Sequence, residues 1–141
     1  MRTYLVVALG GVLGALGRWG VSVGVPHEPG AWPWATVTVN LTGCLVIGLL
    51  LAVLLARFPD HPWLRPLLAT GVCGGYTTFS TFAVDGVQLA DAGRWGLGAI
   101  YVLVSAGGGL LAVVLGLVIG RRAVGARASV RTEVEAGTDR S

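Results

Sequence analysis

The chain has no lysine, one methionine and only two cysteines, and charge of either sign is scarce. Charged residues make up 12% of its 141 positions, about half the roughly 25% of an ordinary soluble domain. A small water-soluble globule exposes much of its surface, and these few charges could not cover it. The shortage excludes a soluble enzyme domain and a disordered chain, and two cysteines cannot build a disulfide scaffold. What the chain does have is 54% apolar or aromatic residues and 23 glycines, the composition of an integral membrane protein. Its net charge of +3 comes from ten basic residues, all arginine, against seven acidic ones. The arginines do not gather on an aromatic-bearing face, so membrane lipid explains them and nucleic acid does not.

A bilayer crossing needs about 20 mostly apolar residues. Four stretches qualify, at about 3–24, 34–56, 64–89 and 95–120. They predict an all-α membrane domain over residues 1–122, followed by a polar tail at 123–141. The connections carry turn chemistry: PHEPG at 26–30, RFPDHP at 57–62 and DAGR at 91–94. Trp32, Trp34, Trp63 and Trp95 fall at the span ends, where indole rings favour the headgroup layer. The first span is too long and too arginine-poor at its start for a cleaved signal. His27 and His61 lie in connections and read as solvated. No nucleophile–base pair or metal-ligand spacing points to an enzyme. Cys44 and Cys73 lie mid-span outside any C-x-x-C pattern and read as plain buried thiols.

Small residues recur on the first span (Gly10, Gly14, Gly17) and on the fourth (Gly107, Gly108, Gly109, Gly116, Gly120). Such faces let helices approach closely without a hydrophobic driving force. Four short helices enclose little volume, so a transport path calls for more than one copy.

Polar groups at membrane depth are costly and therefore informative. Thr36, Asn40 and Cys44 share a face of the second span, and Tyr101, Ser105 and Gly109 share one of the fourth. The densest cluster is GVCGGYTTFSTF at 71–82, followed by Asp85 and Gln88. Two adjacent glycines cost a helix roughly 2 kcal/mol against alanine, and Thr77, Thr78 and Thr81 add to that. A third helix broken in mid-membrane is expected, exposing backbone groups that protein, water or an ion must satisfy. A kinked but empty helix is the plainer alternative. The donors of Asn40, Tyr101, Ser105 and the threonines, with no carboxylate in the first, second or fourth span and no negative charge expected among them, suit a small anion. Phe79 and Phe82 add positive ring edges, although plain packing is common at that spacing. Asp85 comes late in the third span, toward one end.

These residues resemble the Fluc fluoride channels of the CrcB type. The opening GGVLGALGRW at 10–19 is similar to that family's first motif, and NLTG at 40–43 with Gly48 to its second. The run at 71–82 resembles its signature almost letter for letter. The resemblance implies a passive fluoride channel built as an antiparallel, dual-topology dimer of four-helix subunits. It also implies a structural sodium ion at the dimer centre, on the backbone carbonyls of Gly74 and Thr77. Asn40 would be the polar-track donor, Phe79 and Phe82 the aromatic lining, and Tyr101 and Ser105 the continuation on the fourth helix. Thr36 would lie near the entrance. Arg18 either attracts anions into a vestibule or snorkels. Three positions depart from the family pattern: Tyr76, where a smaller apolar residue is usual, Asp85, where glutamate is common, and Gly109, where the hydroxyl track usually continues.

Arginines near span ends set orientation. Arg2, Arg57, Arg65, Arg121, Arg122, Arg127 and Arg131 fall on one side, against Arg94 on the other and Arg18 within the first span. This bias predicts both termini in the cytoplasm of a plasma-membrane protein. A chain inserting equally both ways should carry balanced arginines, so a heterodimer with an oppositely oriented paralogue is expected. The rival reading is a small four-helix proton-coupled exporter of cationic compounds. That chemistry needs a carboxylate in the first helix, and residues 3–24 have none.

Overall fold

The computed structural model of the chain describes the backbone of residues 2–138 and the side chains of residues 2–125. The first helix, α1, spans Arg2–Gly24 and the second, α2, spans Trp34–Arg57. The third apolar stretch is divided. A π-helical segment, Pro66–Cys73, runs into a single turn, α3, Gly74–Tyr76, and helix resumes as α4, Ser80–Asp91. The last helix, α5, spans Trp95–Thr138. Four segments are long and apolar enough to cross a bilayer: Arg2–Gly24, Trp34–Arg57, Pro66–Asp91 and Trp95–Gly125. The chain is a multi-pass membrane protein.

The fourth helix continues beyond residue 120, where its apolar stretch ends, through Arg121 and Arg122 to Thr138. Apolarity and helix propensity are separate quantities. The residues after 120 are polar, yet many are alanine, arginine and glutamate, which favour helix. Most side chains of the expected polar tail, Arg127 and Arg131 included, lie outside the described residues.

Glycine decides which helices approach. A methyl group on Gly14 of α1 would collide with the backbone of Val72, Gly75 and Tyr76, so α1 lies directly on the π-helical segment and α3. The α2–α5 contact is reciprocal: Gly48 faces the backbone of Val113, and Gly116 faces the backbone of Leu45. Gly107, by contrast, faces open space.

One end of the bundle is closed by the connections that follow α1 and α4. Gly30 and Gly93 take left-handed backbone, with φ of 76° and 72°, which glycine adopts at no steric cost. Nη1 of Arg94 donates to the Gly30 carbonyl at 3.1 Å and ties the two connections together. A small core of Val37, Leu89 and Tyr101 is packed by Trp32, Leu41, Phe82 and Leu97. In the α2–π-helix connection, Nδ1 of the exposed His61 accepts from the amides of Trp63 and Leu64 at 3.4 and 3.3 Å.

Candidate functional site

The site begins where the backbone leaves the helix. Thr77 is extended, with φ −73° and ψ 158°. Its neighbour Thr78 is then bonded like one strand residue to another, but by a side chain. The Thr78 amide donates to Oδ1 of Asn40 at 2.8 Å, and Nδ2 of Asn40 donates to the Thr78 carbonyl at 2.9 Å. The carboxamide of Asn40 thus replaces a peptide group for the interrupted turn. The Thr81 amide donates to Oγ1 of Thr78 at 3.2 Å, and that hydroxyl donates to Oγ1 of Thr81 at 3.1 Å. The amides of Thr78 and Thr81 would, in a continuous helix, bond the carbonyls of Gly74 and Thr77. Both are diverted, so these two carbonyls lose their helical donors.

Tyr76 holds the chain just before the break. Its phenol lies 3.1 Å from Oγ1 of Thr42, and its ring packs by Gly43 of α2 and Gly17 of α1. Glycine at both positions leaves room for an aromatic ring where a smaller residue was expected.

A groove of about 710 Å³ runs past the break. It collects Asn40, Gly74, Thr77, Phe79, Phe82 and Ser105, six of the residues singled out in the sequence, and also Cys44 and Cys73. The rings of Phe79 and Phe82 lie 5.8 Å apart at 40°. Phe79 is 79% exposed, whereas Phe82 leans on Tyr101 with centroids 5.1 Å apart. The hydroxyl of Ser105 is buried and has no hydrogen-bond partner among the described residues. Gly109 faces the sulfur of Cys44.

Thr36 and Tyr101 do not line this groove. They converge on Asp85, whose side chain is only 6% exposed. Oγ1 of Thr36 donates to Oδ2 of Asp85 at 2.6 Å, and the Tyr101 hydroxyl donates to the same oxygen at 3.5 Å. Nε2 of His27 lies 3.4 Å from Oδ1. Two expectations are corrected here. A carboxylate does stand among the donors, because Asp85 follows Phe82 by three residues and shares its helix face. His27 is not freely solvated: the α1–α2 connection folds over the bundle end and leaves its side chain 19% exposed. Neither link was legible, since residues 27, 36, 85 and 101 sit on four separate elements.

Arg18 lines a second hollow of about 240 Å³ with Ala15, Thr36, Thr78 and Thr81. It forms no ion pair among the described residues. Thr78 therefore separates two recesses, one edged by the Asn40 carboxamide and one by a guanidinium. Its hub position went unread, because a run of threonines does not reveal which member is held by α2.

Four apolar spans, an interrupted third segment and a largely apolar groove that carries a few polar side chains beside two aromatic rings define a small membrane protein of the channel class. Residues 5–117 match the family described as CrcB-like protein, Camphor Resistance (CrcB), and the chain belongs to that family. It is similar to the fluoride-specific ion channel FluC 1 of Mycobacterium bovis, 46% identical over 121 residues that cover 86% of this chain and 92% of that protein. The fluoride-specific ion channel FluC of Acidobacterium capsulatum is 45% identical over 122 residues, covering 86% and 98%. That of Chloroflexus aurantiacus is 41% identical over 122 residues, covering 86% and 97%.

Proposed function

We propose that the chain is a passive, fluoride-specific channel that releases cytoplasmic fluoride. It works as an antiparallel dimer in the plasma membrane, with the helix break at membrane depth. The names of its relatives support the ion. The observation that carries the reading in this chain is the groove itself, where an unpartnered buried hydroxyl, Ser105, and the Asn40 amide meet two phenylalanine rings.

Fluoride is compact and strongly hydrated, so its obstacle is loss of water. An amide nitrogen carries two donors; Asn40 uses one on the Thr78 carbonyl and keeps the other. The Ser105 hydroxyl adds a second free donor, and the ring edges of Phe79 and Phe82 supply weaker positive charge. Donors in a narrow row replace part of a small anion's hydration shell and fit the larger chloride poorly. Weak sites in series still let the ion leave. Thr36 and Arg18 border the neighbouring hollow and serve as its entrance.

The carbonyls of Gly74 and Thr77 suit a hard cation such as sodium, because oxygen is the preferred ligand and their amide partners are engaged elsewhere. A methyl group on Gly74 would meet open space, so packing within the subunit does not require glycine there. Bound sodium would supply a fixed positive centre joining the two subunits' broken helices. The 79% exposure of Phe79 supports a dimer, since one subunit leaves half of the ring pair uncovered.

The arginine bias supports cytoplasmic termini and a heterodimer with an oppositely oriented paralogue. The deciding experiment is fluoride efflux from liposomes carrying the chain alone or with that paralogue, with chloride as control. Fluoride flux at least about a hundredfold above chloride is expected, a selectivity of roughly 2.7 kcal/mol. Equal rates for the two ions defeat the channel reading. Strong flux from the chain alone removes the heterodimer and leaves the channel intact.

A further inference from the structure

Asp85 is a buried carboxylate beside a path argued to carry an anion. Burying an uncompensated charge is costly, and a carboxylate also repels any anion near it. Its Oδ2 is held by Thr36 and Tyr101, which are neutral donors. At Oδ1 the structure places Nε2 of His27, at ion-pair distance of 3.4 Å. Phe82, three residues before Asp85, lies against Tyr101 and lines the groove, so the cluster adjoins the path directly.

The charged and titratable groups of the surrounding elements are few. The α1–α2 connection gives His27 and the exposed Glu28, and α4 gives Asp85 and, further on, the exposed Asp91. Tyr101 comes from α5, and α2 offers only neutral Thr36. Arg18 of α1 lines a hollow that Thr36 also borders, and Arg94 is bonded to Gly30. Imidazole is the side chain whose charge ordinarily changes between about pH 5 and 8, and His27 is the imidazole that faces Asp85.

We propose that His27 is a positioning residue that holds the Asp85 carboxylate against Thr36 and Tyr101 and, when protonated, cancels its charge, so that fluoride passes faster under acid conditions. The inference rests on reading the chain as a fluoride channel, and its test has two readouts that fail separately.

The first is independent of transport. The chain has two histidines, His27 and His61, and both imidazoles are followed by NMR during a pH titration of the full chain in nanodiscs. Asp85→Asn shifts the titration midpoint of His27 and leaves that of His61 in place. A His27 midpoint indifferent to Asp85→Asn overturns the pairing, whatever the protein transports.

The second readout is fluoride efflux from liposomes between about pH 5.5 and 8, corrected with protein-free liposomes because hydrogen fluoride crosses lipid. Wild-type flux rises at least about threefold toward acid pH as the carboxylate's repulsion is cancelled. His27→Gln flattens that slope, and Asp85→Asn flattens it at the higher, acid-side rate. A slope retained in His27→Gln overturns the proposal. Absence of fluoride flux in every preparation counts against the channel reading, and the NMR titration still decides the pairing.

Discussion

Replacing Asn40 separates its two roles, because it both completes the interrupted backbone and faces the groove. Asn40→Asp keeps an acceptor for the Thr78 amide but loses the donor that meets the Thr78 carbonyl at 2.9 Å. Leaving that carbonyl unbonded costs about 1–3 kcal/mol. The ionised carboxylate also puts a negative charge where the anion should find an N–H. At about 4 Å and an effective dielectric constant of about 20, the repulsion is about 4 kcal/mol, or roughly a thousandfold in rate. Asn40→Ala abolishes both Thr78 bonds and costs about 2–6 kcal/mol, less what groove water returns, but adds no charge. The two variants should therefore rank oppositely: alanine unfolds at the lower temperature, and aspartate passes less fluoride. Thermal unfolding in detergent and initial efflux rates from liposomes at about pH 8, where an ordinary carboxylate is ionised, give the two orders. Asn40→Asp flux within tenfold of wild type would refute the placement of Asn40 on the path.

Three other outcomes test separate parts of the structure. Phe79→Ile and Phe82→Ile both lower fluoride efflux, but only Phe82→Ile also lowers the unfolding temperature, because Phe82 packs on Tyr101 while Phe79 is 79% exposed. Gly48→Ala drives a methyl group into the Val113 backbone and costs about 1–3 kcal/mol; Gly125→Ala meets open space and gains up to about 1 kcal/mol of helix propensity. Both are read from denaturant midpoints in detergent. Thr36→Val removes a 2.6 Å bond to a carboxylate, worth about 1.5–3 kcal/mol; Tyr101→Phe removes a 3.5 Å contact and costs less. Equal losses for these two would mean that Asp85 does not depend on Thr36 as the distances imply.

The four spans were legible because hydrophobic length is a one-dimensional quantity, and the tryptophans at 32, 34, 63 and 95 mark its ends. The residues of the groove were legible for a related reason. Asn40 and Ser105 are polar at membrane depth, so each stands out without knowledge of its neighbours, and Phe79 and Phe82 stand out only by the polar run that holds them. Partnership was not legible. Nothing in the spacing says that Asn40 reaches Thr78 and not Thr77 or Thr81, since that depends on the register of α2 against a non-helical turn. Asp85 looked peripheral because a carboxylate's meaning depends on what surrounds it. Its surroundings come from α2, α5 and the α1–α2 connection. The end of α5 was not legible for another reason, because loss of apolarity marks the end of a span and not of a helix.

The partition between bonded and unbonded polar groups links the fold to its use. A break in a membrane helix frees backbone groups that lipid cannot satisfy, and the usual remedy would bond them all. Here Asn40 and the Thr78 hydroxyl take the amides of Thr78 and Thr81. They leave the carbonyls of Gly74 and Thr77 without helical donors, while the Ser105 hydroxyl of the same groove has no partner among the described residues. The turn is therefore stabilised mainly through its N–H groups, and it leaves oxygen acceptors at Gly74 and Thr77 and spare donors at Asn40 and Ser105. On the proposed reading a cation would sit with the first set and an anion with the second. One asparagine serves both, because its carboxamide can satisfy a peptide and still offer a proton. Aspartate, alanine and leucine each fail at least one of these requirements, which is why substitution at this position tests the break and the path together.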